Sequence, residues 1–192
     1  MLGRKRVGEK TSLVPRVPEH VEFIYDWWLE YPDFYPGREF PTIDQYTERY
    51  EKRAGDNDWT LWSVVVDRQG EDGDPSLDEE DGPEIVGITE LGDFDAHSCF
   101  ESFLFIVPEA RGRGYGSEAV QLRTAYAYED LDVELLETTT EVRNVAAQRV
   151  LEQAGYRRTG QRPHAFRENG QWQDVYFYAI VREWWETHRA SQ

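Results

Sequence analysis

A run of alternating glycines stands between an apolar segment and a helical segment. Of all the patterns in this sequence, it is the one best suited to bind a ligand. Residues 103–107 are all apolar, β-branched or aromatic, the profile of a buried strand. Gly112, Gly114 and Gly116 alternate with larger residues, so their backbone amides can approach a ligand with no Cβ in the way. A helix that follows directs its unpaired N–H groups and positive dipole end toward this turn. The pattern therefore predicts a phosphate or pyrophosphate site.

The spacing of these glycines excludes two common phosphate-binding motifs. A Gly-x-Gly-x-x-Gly dinucleotide fingerprint would require glycine where the chain has Ser117. A P-loop would require Gly-Lys-Ser/Thr after four spacer residues, and the chain contains no such run. The hexapeptide that begins at Arg111 has instead the pattern Arg/Gln-x-x-Gly-x-Gly/Ala. Taken alone, it is also compatible with a surface turn capped by glycines.

The composition indicates a globular, strongly acidic protein. The chain has 192 residues, of which 39% are hydrophobic and 14% aromatic. With 21 basic and 38 acidic residues its net charge is −17, which argues strongly against nucleic-acid binding, since that requires a basic face. No apolar run approaches the ~20 residues of a membrane helix. The single cysteine, Cys99, favours a reducing cytoplasm, and the basic residues 1–10 are expected to form a flexible tail.

Hydrophobic periodicity predicts seven strands and four helices that would position the glycine turn. The three strands before the turn are joined by short connections and are expected to form an antiparallel meander. The acidic segment 69–83 is predicted to be an exposed loop, and 11–192 a single domain. The predicted strands are 11–16, 59–67, 84–91, 97–107, 133–140, 156–160 and 172–181, and the predicted helices are 19–29, 42–53, 117–128 and 144–153.

Four local patterns in the right order resemble the Gcn5-related N-acetyltransferase (GNAT) superfamily, and in particular its ribosomal-protein N-terminal acetyltransferase (RimJ/RimL-like) type. The first pattern is the glycine turn. The second is Asn144-x-x-Ala-x-x-Val-Leu-Glu-x-Ala-Gly-Tyr156, and the others are Gly170-x-x-x-Asp174 and Glu183-Trp. The resemblance extends over nearly the whole chain. It implies an α/β (α+β) fold with a mixed central sheet of about seven strands flanked by about four helices.

The same resemblance implies acetyl-CoA as co-substrate, bound where strands 97–107 and 133–140 part. The pyrophosphate would lie on the amides of residues 111–116, and the pantetheine arm would lie along strand 103–107. Asn144 would contact the pantetheine or lie near the thioester, although it also has the simpler role of a helix cap. The coenzyme-binding residues expected on this basis are Phe105, Ile106, Val107, Arg111, Gly112, Arg113, Gly114, Tyr115, Gly116, Ser117 and Asn144.

The implied reaction is direct attack of an amine on the thioester carbonyl, assisted by a general base. The expected base is Glu101, ten residues before Arg111, with Glu90 as the substitute. Glu101 is equally compatible with an exposed charge at the start of a strand. Backbone N–H groups around Ile106 and Val107 are expected to polarise the carbonyl oxygen.

Two departures from the family pattern affect the expected mechanism and leave the function open between classes. Leu151 stands where many acetyltransferases carry a proton-donating tyrosine, and Ala147 replaces a serine. Trp28 and Tyr31 are expected to line the acceptor pocket, and the four scattered histidines indicate no metal site. The leading interpretation is an enzyme, monomeric or homodimeric, acting on a protein N-terminus or a small amine. The alternatives are a non-catalytic acyl-CoA-binding module and an interaction protein with an empty glycine turn.

The acidic excess predicts a salt-dependent stability of the halophilic kind. Because a net charge of −17 makes the folded chain repel itself, added KCl should screen this repulsion and raise the thermal unfolding midpoint. Calorimetry over a series of KCl concentrations measures the effect. A midpoint that does not rise with salt would contradict the halophilic interpretation.

Overall fold

The computed structural model describes residues 4–31, 42–56, 59–66, 84–95 and 97–191, without the side chains of residues 100 and 101. The strands of the described part are β1 Arg6–Val7, β2 Ser12–Pro15, β3 Trp59–Val66, β4 Glu84–Asp95, β5 Ser98–Ile106, β6 Leu135–Glu141, β7 Arg157–Glu168 and β8 Gln171–Val181. The α-helices are α1 Glu19–Glu30, α2 Ile43–Gly55, α3 Tyr115–Asp130, α4 Val145–Gln153 and α5 Arg182–Arg189. The predicted acidic loop 69–83 lies outside the described residues.

All eight described strands form one mixed sheet in the order β1-β2-β3-β4-β5-β6-β8-β7. The β3–β4–β5 pairs are antiparallel, as predicted for a meander. The pairing of β5 with β6 is parallel, and all other pairs are antiparallel. The predicted fold class is confirmed, and the observed counts exceed the prediction by one strand, β1, and one helix, α5.

Strands β5 and β6 part after two paired residues. Their register contains only the pairs Ser98 with Leu135 and Cys99 with Leu136. Beyond them β6 remains paired with β8 as far as Glu141, and β5 remains paired with β4 as far as Ile106. The sheet therefore opens into a cleft between two strands that are each held by their outer neighbour.

Two hydrophobic clusters hold the helices on opposite faces of the sheet. One cluster lies under α1 and α2 and includes Trp28, Ile88 and Phe105. The other lies under α3 and α4 and includes Ile106 and Leu136. Successive residues of β5 thus face opposite clusters, as strand geometry requires. Phe103 packs with the first cluster and Leu104 with the second. The strand that borders the cleft is therefore held by packing on both of its faces.

The observed elements differ from the predicted ones where the sequence carries little pattern. Part of the expected N-terminal tail is ordered, because β1 pairs with β2 and Arg6 donates a 2.8 Å hydrogen bond to Glu129 at the end of α3. Strand β7 runs to Glu168, eight residues beyond the predicted end. Most of its residues are exposed, so it lacks the apolar alternation that reveals a half-buried strand.

Candidate active site

The glycine turn leads directly into helix α3. Gly112 and Gly114 have φ values of +78° and +92°, a region that residues with a Cβ rarely adopt, and Gly114 is the N-cap of α3. The first hydrogen bond of the helix runs from the Glu118 N–H to the Gly114 carbonyl at 3.1 Å. Within the described ranges, the amides of residues 112–117 have no backbone acceptor. Six N–H groups are therefore available to a ligand at the positive end of α3.

The turn is open on its outer side and supported from below. A Cβ at Gly112 would meet no heavy atom within 4 Å. A Cβ at Gly116 would lie 3.4 Å from Leu104 and 3.5 Å from Ile106, because the start of α3 packs closely on β5. The amide of Arg111 is not part of the free set, since it donates to the Pro108 carbonyl at 3.2 Å. The free amides thus begin one residue later than the sequence indicated.

Ile106 lies where β5 borders the cleft, and its carbonyl is already engaged. Val107 donates its N–H to Val86 of β4 at 3.0 Å, so the adjacent Ile106 directs its backbone groups toward the cleft. This corrects the expectation that both amides could polarise a ligand carbonyl, because only the Ile106 N–H faces the cleft. The Ile106 carbonyl accepts a 2.8 Å hydrogen bond from Arg111 Nε, which places the Arg111 side chain at the cleft mouth.

The side chains of Asn144 and Ser117 both form hydrogen bonds at helix ends near the cleft. Asn144 is the N-cap of α4, and its Oδ1 accepts from the Ala147 N–H at 3.0 Å, as the sequence predicted for a helix cap. The residue is exposed, so its side-chain amide is also accessible to a ligand. Ser117 Oγ donates to Gln153 Oε1 at 3.0 Å and joins the start of α3 to the end of α4. Its hydroxyl therefore has a structural partner, while its backbone amide belongs to the turn.

Glu90, the expected substitute base, lies in a buried ion pair. Arg16 donates to one carboxylate oxygen at 2.7 Å and Arg53 donates to the other at 2.9 Å. The residue is only 3% exposed. Because both oxygens accept charge-assisted hydrogen bonds under α2, the geometry favours a structural role for Glu90 over proton transfer.

Glu101 lies on β5 opposite Gly92 of β4, and its side chain is outside the described part of the structure. Its assignment as general base stays a prediction. The backbone places it two residues before Phe103.

The two expected acceptor-pocket residues have different surroundings. Trp28 is 1% exposed and packs edge-on against the Tyr46 ring at 5.4 Å, so it belongs to the core and offers no surface to a ligand. The expectation for Trp28 was wrong because its partner comes from another helix. Tyr31 lies at the cleft, with its ring 6.0 Å from Phe105 and its hydroxyl donating to Glu109 at 3.1 Å. Desolvation and the Glu109 carboxylate raise the pKa of this hydroxyl, which keeps it protonated near neutral pH.

Strand β6 contributes two polar residues that the sequence interpretation missed. Leu136 is buried in the α3-side core, so the neighbouring Glu137 and also Thr139 face the opposite side, toward which Phe103 and Phe105 also point. The alternation of buried and less buried residues along β6 carries this information. The sequence interpretation considered only β4 and β5 as sources of a base.

No described helix combines the length and apolarity that a membrane span requires. In the ranges that the structure describes, no three histidine, cysteine or acidic side chains come together as a potential metal site.

A mixed sheet that opens between two parallel strands, with a helix starting at the opening, is the architecture of the acetyltransferase (GNAT) fold. The acetyltransferase (GNAT) domain family matches residues 11–157, and the chain belongs to this family. The observed cleft and the glycine turn both lie inside the matched region.

Similar proteins include several described as N-acetyltransferases. The uncharacterized N-acetyltransferase YnaD of Bacillus subtilis is 31% identical over 78 residues, which cover 41% of this chain and 46% of the relative. The N-acetyltransferase 9-like protein of Caenorhabditis elegans is 30% identical over 138 residues, covering 68% of this chain and 66% of the relative. The chain thus spans less than half the length of the first relative.

Solved structures share the fold over almost the whole chain. The spermidine N-acetyltransferase from Vibrio cholerae in complex with CoA and spermine has a TM-score of 0.79 and 20% identity. The superposition covers 93% of this chain and 99% of the other. An acetyltransferase of the GNAT family from Bacillus anthracis has a TM-score of 0.74 and 19% identity, with coverage of 93% and 99%.

Replacing Glu90 tests the structural role assigned to its carboxylate. In Glu90→Gln the two guanidinium groups lose their buried counter-charge, so the free energy of unfolding should fall by about 3 kcal/mol. Urea denaturation measures this change, with the exposed Glu48→Gln on α2 as a control that should stay within about 0.5 kcal/mol of the parent. A Glu90→Gln protein of parental stability would contradict the ion-pair role.

Proposed function

We propose that the protein is an acetyl-CoA-dependent N-acetyltransferase that transfers the acetyl group to a primary amine. The observation that carries this proposal is the set of free amides at residues 112–117, placed beside the opening between β5 and β6. Membership of the GNAT family supports it. Acetyl-CoA supplies the acetyl group as an activated thioester.

The residues at the cleft fit this co-substrate. The open space above Gly112 admits the diphosphate, and the free amides of the turn can donate hydrogen bonds to its oxygens. The Ile106 backbone borders the cleft and can pair with the amides of the pantetheine arm in the manner of an added strand. In the proposed complex the arm replaces Arg111 at the Ile106 carbonyl, whose oxygen accepts from Arg111 Nε at 2.8 Å in the free protein.

The chemical step requires a neutral amine. An α-amine with a pKa of ~8, or a lysine-type amine with a pKa of ~10.4, is largely protonated at neutral pH and must first lose a proton. Glu101 on β5 and Glu137 on β6 belong to the two strands that border the cleft, and either carboxylate can take the proton directly or through a water. The Ile106 N–H can stabilise the oxyanion that forms on the attacked carbonyl.

The departing thiolate has no tyrosine at the family position. Leu151 occupies it and is 6% exposed, as a member of the α3-side core. A free thiol has a pKa of ~8.5, so the leaving group is only mildly basic and water can protonate it. The proposed mechanism therefore uses a general base and no dedicated general acid.

The acceptor belongs to one of two groups of primary amines. The RimJ/RimL-like patterns of the sequence favour a protein N-terminus. The fold shared with a structure that contains CoA and spermine suggests a small polyamine as the second candidate. Glu109 and Glu137 place negative charge around the cleft, which favours a cationic acceptor of either kind.

A non-catalytic acyl-CoA-binding module is the competing function. Leu151 in place of a tyrosine and Ala147 in place of a serine both favour it. Adding acetyl-CoA and following first the thermal midpoint and then free-thiol release separates the candidates. A stabilised protein that releases thiol with N-terminal peptides or polyamines supports the enzyme. Stabilisation with no release from any amine supports the binding module, and the absence of stabilisation overturns both.

Substitution of Gly112 tests the location of the diphosphate site. Gly112→Glu should abolish the acetyl-CoA-induced thermal shift, because it places a carboxylate where the diphosphate is expected. Gly170→Glu is a matched control, since Gly170 has a φ of +79° against +78° for Gly112 and neither has an atom within 4 Å of an added Cβ. Equal loss of binding in both variants would contradict the assignment, because backbone strain alone would explain it.

Parallel substitutions identify the base. If Glu101 takes the proton, Glu101→Gln should lower kcat by about 10²-fold near neutral pH while the dissociation constant for acetyl-CoA stays unchanged. Glu137→Gln is the matched comparison from the opposite strand. The pH–rate profile should lose its acidic limb only in the variant that lacks the base. A retained limb and unchanged kcat in both variants would exclude both carboxylates.

A further inference from the structure

The turn between β1 and β2 is held against the start of α3 by one carboxylate. Glu118 accepts hydrogen bonds from the backbone N–H groups of Glu9 at 2.7 Å, Lys10 at 2.9 Å and Thr11 at 2.6 Å. The Thr11 hydroxyl donates a fourth bond at 2.8 Å. The turn is closed by a 2.8 Å hydrogen bond from the Gly8 N–H to the Thr11 carbonyl. Three consecutive backbone donors and a hydroxyl thus converge on one side chain of the first helical turns.

The β1–β2 turn packs closely on the Glu118 side chain, and this side chain is negatively charged. A Cβ at Gly8 would lie 2.5 Å from the Glu118 carboxyl carbon, so the backbone approaches the carboxylate closely. Burial alone would raise the pKa of Glu118, but the hydrogen bonds from Thr11, Glu9 and Lys10 lower it below its usual value. The carboxylate is therefore ionised at neutral pH, and the four bonds to it are of the strong, charge-assisted kind.

The clamp positions the side chain of Lys10 over the glycine turn. A Cβ at Gly114 would lie 3.1 Å from Lys10 Nζ. In the part of the chain that the structure describes, no carboxylate forms an ion pair with Lys10. An ammonium group therefore lies beside the N-cap of α3, next to the free amides of the turn.

We propose that Lys10 binds the diphosphate of coenzyme A, and that Glu118 is the positioning residue that holds Lys10 over the turn. This inference rests on the proposed function. Backbone amides offer direction but only partial charge, whereas a diphosphate carries full negative charge. The chain has a net charge of −17 and only three lysines, so a local cation offsets the repulsion that an anionic ligand meets here.

The position of Lys10 favours the diphosphate over the 3′-phosphate of coenzyme A. Its ammonium group lies at Gly114, the residue whose neighbours supply the free amides, and those amides are the expected diphosphate contacts. If Lys10 contacts the diphosphate, its loss should weaken the binding of coenzyme A and of dephospho-coenzyme A equally, because both contain the diphosphate. A contact with the 3′-phosphate would affect coenzyme A alone.

Calorimetric titration of the full-length Lys10→Met protein with coenzyme A and with dephospho-coenzyme A tests the proposal. Loss of the ammonium should raise both dissociation constants by about tenfold at low salt, because it removes a hydrogen bond between charged groups. The dependence of affinity on KCl should also become shallower, since one fewer cation meets the ligand. Lys52→Met on α2 is the control and should match the parent, and both variants should keep the parental thermal midpoint.

Each outcome decides one point. If the parent protein binds neither ligand, the proposed function fails and the inference falls with it. If the parent binds both and Lys10→Met binds them equally well, the inference alone is overturned. If Lys10→Met loses affinity only for coenzyme A, the diphosphate assignment is overturned in favour of the 3′-phosphate.

A double substitution tests the positioning role of Glu118. Glu118→Gln removes the anion that organises the turn, so it should weaken coenzyme A binding in the presence of Lys10. In the Lys10→Met background the same change should add little, because no ammonium remains to be positioned. Additive losses in the double variant would overturn the positioning role and indicate an independent effect on α3.

Discussion

The separation of β5 from β6 is the constraint on which the site depends. Each strand is fully paired on its other side, β5 with β4 and β6 with β8, so neither can swing back to close the gap without breaking an established ladder. Beyond the second pair, the facing backbone groups lack a strand partner. Thr138 partly compensates by donating to the Ser102 carbonyl at 3.3 Å. Under the proposed function, the extended pantetheine arm would supply partners to these groups.

The first turns of α3 connect this opening to the rest of the fold. Gly116 rests on β5, Ser117 bonds to the end of α4, and Glu118 holds the β1–β2 turn. One short segment therefore fixes the relative positions of the open strand, a second helix and the N-terminal hairpin. The same segment presents the free amides, so the proposed ligand site and the structural contacts of α3 share a single helical start.

Features set by local sequence could be predicted, and features set by distant partners could not. The glycine turn and the Asn144 cap depend on residues a few positions apart, and the structure confirms both. The role of Glu90 depends on arginines that precede it by 74 and 37 positions, which no spacing rule reveals. The two-residue strand β1 is too short to carry a periodic signal. Because residues 1–10 were expected to form a flexible tail, nothing in the sequence indicated that Lys10 lies beside the glycine turn.

The hydrogen bond from Arg111 to the Ile106 carbonyl has a consequence for how ligand affinity is distributed along the molecule. Under the proposed function, Arg111 in the free protein stands in for one hydrogen bond of the pantetheine arm, because its Nε donates to the Ile106 carbonyl. Exchanging one hydrogen bond for another leaves little net free energy at that position. Under the proposed function, contacts with the nucleotide end of coenzyme A supply most of the binding free energy. Contacts with the thioester end mainly position the acetyl group. Small thioesters without the nucleotide would then be intrinsically poor donors, which protects the acetyl transfer against unrelated acyl thioesters.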